Sequence, residues 1–213
     1  MKIISAFLAI SFCIIFCGAS LKNNEGEWIS LFDGKSLAGW KVGNHPETFK
    51  VEDGMIVVNG ETAHLFYDGN VKDHNFKNFE FKADVMTVPG SNSGIYFHTN
   101  YQEDGWPSKG YEVQVNNSHT DWRRTGGLYA VDDVKEVYVK DNEWFTEYIK
   151  VQGKHVTIKL NDKKVVDYTE PQNVERPADM AGRVLSSGTF ALQGHDPKSK
   201  VYFKNIMVKP LDE

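Results

Sequence analysis

Apolar residues in this chain recur at every second position, and no stretch holds a convincing helical period for more than two turns. That pattern constrains the fold more than any other feature, because extended strands send alternate side chains to opposite faces. Residues 79–85 alternate without a break: Phe79, Phe81, Ala83 and Val85 share one face, and Glu80, Lys82 and Asp84 the other. Val156, Ile158 and Leu160 likewise oppose His155, Thr157 and Lys159. Turn dipeptides stand between such runs. Asp53-Gly54 separates 49–52 from 55–58, Asn59-Gly60 closes the second run, and Asn161-Asp162 separates 155–160 from 164–168. Glycine accepts a positive φ and Asn or Asp tolerates it, so these pairs predict tight turns. Further strands are predicted over 94–99, 111–115, 144–151, 188–193 and 201–209. About ten short strands with frequent turns imply an all-β fold, a two-sheet antiparallel β-sandwich. Three connections are long and irregular, 102–110, 116–127 and 171–187. Long loops on an otherwise economical scaffold are where function concentrates.

Residues 1–19 are read as a secretory signal peptide, leaving 20–213 as a single domain. Lys2 supplies the positive end, residues 3–16 are almost uninterrupted apolar sequence, and Cys17-Gly18-Ala19 offers a run of small residues for cleavage. The expected location is therefore the periplasm or the extracellular space. Cys17 as a lipid-modified N-terminus is the lesser alternative, because Phe16 is large where lipoprotein processing favours a small residue. No later segment has the roughly 20 apolar residues of a spanning helix, so none is expected in the mature chain. Both cysteines lie in the leader, so the mature domain is expected to rest on its core without disulfides. The net charge of -5 gives no basic footprint for nucleic acid. Neither a phosphate-cradling Gly-rich loop nor a Gly-x-Ser-x-Gly nucleophile elbow occurs, and no cofactor is expected. The seven histidines show no metal-ligand spacing, so no metal is expected; Asp53-Gly54 and Asp132-Asp133, possible calcium ligands, read first as turn chemistry.

Several blocks resemble, in order, the 3-keto-disaccharide hydrolase domain family. They begin with Ser30-Leu31-Phe32-Asp33-Gly34-Lys35-Ser36-Leu37-Ala38-Gly39-Trp40 and Phe49-Lys50-Val51-Glu52-Asp53-Gly54. Gly90-Ser91-Asn92-Ser93-Gly94-Ile95-Tyr96-Phe97, Tyr111-Glu112-Val113-Gln114-Val115 and Thr125-Gly126-Gly127-Leu128-Tyr129 follow. Glu143-Trp144 with Tyr148, Leu192-Gln193-Gly194-His195 and Val201-Tyr202-Phe203-Lys204-Asn205-Ile206 complete the set, which spans 28–210. The resemblance implies a concanavalin A-like lectin and glucanase jelly roll with a carbohydrate cleft on its concave face. It also implies cleavage of glycosides oxidised to a ketone at position 3, and a separate sugar 3-oxidoreductase that supplies them.

Strand alternation nominates the chemistry. Glu112 and Gln114 project from one face of a strand while Tyr111, Val113 and Val115 pack on the other. Tyr96 pairs with His98 by the same spacing, and Gln193 with His195. Such a fold usually cleaves glycosides with two carboxylates, but the Glu-x-Asp-x-x-Glu run of a glucanase is absent here. A 3-ketone offers another route: it acidifies the C2 proton, so a base can drive elimination at C1 and water can add back. Glu112, His98 and His195 are the candidate base and acid groups, and they are expected to converge on one hollow. Asn92, Gln114 and Gln193 are candidates for positioning hydroxyls or polarising the ketone. Tyr96 lies on the same expected polar face, and Trp106, Trp122 and Tyr129 are candidate sugar platforms. Trp144 is expected in the core, and Arg123-Arg124 as a solvated charge pair. The alternatives are a non-catalytic carbohydrate-binding module of the same fold, and an interaction domain of a larger exported assembly.

Overall fold

The computed structural model describes residues 26–212; the signal-peptide reading over 1–19, with Cys13 and Cys17, lies outside the described residues. Thirteen strands follow in chain order among them: β1 (Ile29–Ser30), β2 (Trp40–Val42), β3 (Phe49–Glu52), β4 (Met55–Val58), β5 (Ala63–Tyr67), β6 (Phe79–Thr87), β7 (Ser93–Thr99), β8 (Tyr111–Val115), β9 (Phe145–Gln152), β10 (His155–Leu160), β11 (Lys163–Thr169), β12 (Thr189–Gly194) and β13 (Val201–Pro210). The larger sheet runs β11-β10-β9-β6-β13-β4-β3, with β1 also paired to β13, and the smaller runs β2-β5-β12-β7-β8. All named pairings are antiparallel. The fold is the expected all-β two-sheet sandwich.

The Asp53-Gly54 pair closes a two-residue hairpin, with Glu52 opposite Met55 and both turn residues at positive φ, 49° and 78°. That is the backbone a mirror-image hairpin turn requires. The alternation over 79–85 is realised in β6, where Phe79, Phe81, Ala83 and Val85 are fully buried. Ile95 and Phe97 of β7, Tyr111, Val113 and Val115 of β8, and Phe190 of β12 join the same core. Phe190 sits within 4.7–4.9 Å of the rings of Phe76, Phe79 and Phe81. Each such side chain contributes roughly 1.5–3 kcal/mol by leaving water, so this layer dominates the fold's stability.

A carboxyl side chain enters this core. Glu147 follows Phe145 and precedes Ile149 on the inward face of β9, and it is fully buried with neither carboxylate oxygen partnered. Burial holds its carboxyl well above the ordinary range; the nearby Gly126 N–H counters this only in part, and is itself donated to the Gln114 carbonyl.

Two expectations are corrected here. Trp144 is 37 % exposed, with the Lys204 ammonium 3.9 Å from its ring centre, because β9 begins at Phe145 and Phe145 takes the core position. His98 does not share a face with Tyr96. Its φ is 55°, and the pairing with β12 shifts between Thr189 and Ala191, so a bulge in β7 breaks the alternation. The bulged backbone lies against two glycines: a Cβ at Gly110 or Gly188 would fall 2.2 Å from a carbonyl oxygen of Phe97 or Thr99.

Candidate active site

Outside the core, the smaller sheet turns a polar face to the long loops. Register places Glu112 of β8 opposite Tyr96 of β7, and Gln193 of β12 opposite His64 of β5. Gly94 faces Gln114 across the same ladder. A Cβ at Gly94 would approach Glu112 Oε1 to 2.7 Å and its Cγ to 3.0 Å, so the Glu112 side chain occupies the space the glycine leaves. The Tyr96 hydroxyl donates to Glu112 Oε2 at 2.9 Å, and Gln193 Nε2 donates to Oε1 at 2.9 Å. Arg183 Nη2 reaches Oε2 at 3.5 Å. Burial raises the Glu112 carboxyl above its usual range, opposed by the Arg183 charge and the donors of Tyr96 and Gln193. A carboxyl so held suits proton transfer nearer neutrality than a surface glutamate would.

These groups line a cavity of about 340 Å³, shared with Asn92, Trp106, Gln114, Tyr129 and His195. That lies at the lower end of the range for small-molecule sites. At one wall, the Asp196 carboxylate lies 2.8 Å from His195 Nδ1. Burial would raise Asp196, but hydrogen bonds from His195 and Ser199 outweigh it and hold it at about 2. An ionised carboxylate only accepts, so His195 Nδ1 donates to it, and Nε2 is the ring nitrogen left free of Asp196. Half-exposed Trp106 spans this wall, its ring 5.4 Å from His195 and 5.6 Å from buried His64. Burial, with repulsion from His195 whenever that ring is protonated, pushes His64 down to about 3.

The polar side chains of the floor are set by one another. Gln114 Nε2 donates to Asn92 Oδ1 at 3.0 Å, and Gln193 Nε2 is spent on Tyr96 and Glu112. What the two glutamines leave unpartnered is therefore the carbonyl oxygen, an acceptor for sugar hydroxyls. The structure thus brings together Glu112, His195, Asn92, Tyr96, Gln114, Gln193, Trp106 and Tyr129.

It leaves out His98 and Trp122. His98 is buried away from this cavity, with Nε2 2.9 Å from the Lys77 carbonyl and Nδ1 accepting the Ser186 N–H at 3.2 Å. Burial lowers it to about 4. Trp122 is 46 % exposed, under the Arg123 guanidinium at 4.7 Å and the Lys135 ammonium at 5.5 Å, and does not line the cavity. Arg123 and Arg124 are braces rather than a solvated pair. Arg123 Nε donates to both Asp133 oxygens, and Arg124 Nη1 to the carbonyls of His119 and Asp121 and to Asn116 Oδ1.

Sequence reasoning missed Arg183, His64, His119 and Asp196. Arg183 lies in the 171–187 connection, whose length was its only signal. His119, His195 and Asp196 bring potential metal donors within 4.8 Å of one another, from segments too far apart for spacing to reveal. On the Nδ1 side both rings are engaged, His195 by Asp196 and His119 by the Asp121 N–H at 3.1 Å, which leaves their Nε2 atoms. No helix among the described residues is long and apolar enough to cross a membrane.

Residues 27–209 match the model of the 3-keto-alpha-glucoside-1,2-lyase-like domain. A 3-keto-disaccharide hydrolase of Bacteroides thetaiotaomicron is 27% identical over 230 residues, covering 87% of this chain and 79% of that protein. A crystal structure from Parabacteroides distasonis, provisionally assigned as a glycosyl hydrolase, superposes with a TM-score of 0.71 at 28% identity over 88% of this chain and 95% of that one. The carbohydrate-binding module CBM66 of Bacillus subtilis shares the fold, with a TM-score of 0.58 at 14% identity over 80% of this chain and 95% of that one.

Proposed function

Since the chain belongs to the 3-keto-alpha-glucoside-1,2-lyase-like domain family, we propose that it cleaves glycosides whose sugar carries a ketone at position 3, by elimination followed by hydration. One observation carries this reading: a buried, proton-competent carboxyl, Glu112, stands on the floor of a sugar-sized cavity with an aspartate-anchored imidazole, His195, on its wall. The cavity's other carboxylates, Asp121 and Asp179, stand on the connecting segments and not beside Glu112 on the strands of the floor, and Asp121 is taken up by Arg123, whereas a two-carboxylate displacement needs a second free carboxylate. A keto sugar does not need one. The neutral form of His195, its Nδ1–H held by Asp196, takes the C2 proton at Nε2. Glu112 gives a proton to the departing C1 oxygen. The Gln114 and Gln193 carbonyls hold neighbouring hydroxyls, and Trp106 supplies an apolar ring for a sugar face. Water then adds at C1 as the proton returns to C2.

The ketone would be made by a separate sugar 3-oxidoreductase. Residues 1–19 would direct export, which N-terminal sequencing of the secreted chain tests. For the activity, the purified domain is incubated with 3-keto-disaccharides and their unoxidised parents while released monosaccharide is followed. Release from the keto forms alone is expected, and Glu112→Gln should abolish it without altering the melting temperature by more than a few degrees. Glycan binding with no product from any keto substrate would overturn the reading in favour of a carbohydrate-binding module.

A further inference from the structure

The cavity's unpartnered buried atoms include two acceptors and a charged donor. The acceptors are Gln114 Oε1 and Gln193 Oε1; the donor is Arg183 Nη1. Arg183 enters from outside the sheets. Its segment is fastened at several points: Arg176 Nε donates to the Arg183 carbonyl, Arg176 Nη2 to the Tyr111 and Tyr168 hydroxyls, and the Leu185 N–H to Glu170. The Gly182 carbonyl takes the Gly110 N–H, and a Cβ at Gly182 would fall 1.9 Å from the Ser108 carbonyl oxygen. The guanidinium so placed lies with one amino group on Glu112 and its plane centre 5.1 Å from the Tyr129 ring. Its other amino group is shielded from bulk water and has no protein partner.

A sugar hydroxyl both gives and accepts a hydrogen bond, whereas a ketone only accepts. The two free carbonyls therefore require hydroxyls, and of these three groups the guanidinium N–H alone can meet a ketone oxygen. An N–H on a cation strengthens as that oxygen gains negative charge, and more so away from water.

We propose that Arg183 binds the C3 oxygen of the keto sugar and is the group that stabilises the enolate. The inference rests on the elimination reading above. When the base removes the C2 proton, the C–H electron pair forms the C2=C3 bond and the carbonyl π pair moves onto the C3 oxygen, facing Arg183. Return of that pair restores the ketone, the C2=C3 pair becomes C1=C2, and the C1–O bond breaks with its electrons on the leaving oxygen, which takes up a proton. Addition of water across C1=C2 then yields the free keto sugar. Arg183 is thus a catalytic residue that transfers no proton.

The test follows two readouts on one 3-keto-disaccharide in D2O, cleavage and exchange of the C2 hydrogen, for the wild type, Arg183→Ala and Arg183→Lys. Arg183→Ala should lower kcat for both readouts by about 10²–10³-fold with a smaller effect on KM, as expected for loss of one oxyanion donor. Arg183→Lys, which keeps the charge but loses the fork, should fall between. Millimolar guanidinium ion should restore part of the exchange to Arg183→Ala and nothing to Arg183→Lys. Wild-type-like kcat in Arg183→Ala, or a change in KM alone without guanidinium rescue, would overturn the assignment. If Arg183→Ala does not fold, a Lys variant with unchanged kcat overturns it equally. A wild type that neither exchanges nor cleaves any 3-keto glycoside removes the elimination reading itself, and the role of Arg183 with it.

Discussion

Replacing Glu147 by methionine should make the protein more stable, by an amount that grows with pH. Glu147 is fully buried between the sheets, and neither of its oxygens has a partner. Burial raises its carboxyl well above 4.5, the value it takes when solvated. The folded chain therefore keeps a proton that the unfolded chain releases above pH 4.5, and stability falls as pH rises from that point toward the folded value. Each pH unit over which the folded chain keeps this proton and the unfolded chain does not costs about 1.4 kcal/mol. Methionine has a similar length, removes the ionisable group, and ends the further cost of about 1–3 kcal/mol for an unpartnered buried polar group. Urea unfolding followed by tryptophan fluorescence at several values between pH 4.5 and 8 measures this directly. The two stability curves should diverge above pH 4.5 with a slope of up to about 1.4 kcal/mol per pH unit, with Glu147→Met the more stable throughout. Glu147→Gln, which cannot ionise, should show the same divergence from a lower starting point. Subtracting the curves cancels the other titrating groups. Curves that run parallel would refute the reasoning, since they would mean that the carboxyl ionises in the fold and has a partner there.

Gly94→Ala places a Cβ 2.7 Å from Glu112 Oε1; stability should fall by about 1–3 kcal/mol, while kcat on a 3-keto-disaccharide should fall about 100-fold as the carboxyl is displaced. His98→Gln should lower stability by about 1–3 kcal/mol, because the Lys77 carbonyl and Ser186 N–H lose their imidazole partner, yet leave turnover per folded molecule unchanged. The same variant tests acid sensitivity. His98 is held at about 4 against 6.5 when solvated, so the wild type should lose stability as pH falls from 6.5 toward 4, and His98→Gln should lose less over that window in parallel melts. Trp106→Ala should raise KM about tenfold, which corresponds to about 1.4 kcal/mol, with little change in kcat.

The sandwich was legible because its strands obey a local rule. The β6 alternation, the Asp53-Gly54 hairpin and the outward pair Glu112 and Gln114 all follow from residues two apart or from one dipeptide. β5 was invisible because Leu65, Phe66 and Tyr67 follow one another without a polar residue between them, so its sequence does not alternate. His98 was misplaced because a bulge is a property of two strands in register, and its cause lies in Gly110 and Gly188, far along the chain. The glutamines were found but their free ends were not, since which end of an amide faces a cavity depends on what the other end meets. Arg183 could not be found from periodicity at all, as it belongs to no strand.

That last placement has an evolutionary corollary. The acidic half of the ion pair is anchored in a sheet, whereas the basic half arrives on a strap laid across it. Trimming or rerouting the strap would leave the aromatic layer between the sheets, the hairpins and the glutamine floor in place while deleting the guanidinium paired with Glu112. A scaffold arranged in this way can drift from cutting sugars to merely holding them, or back again, by exchanging a single surface insertion.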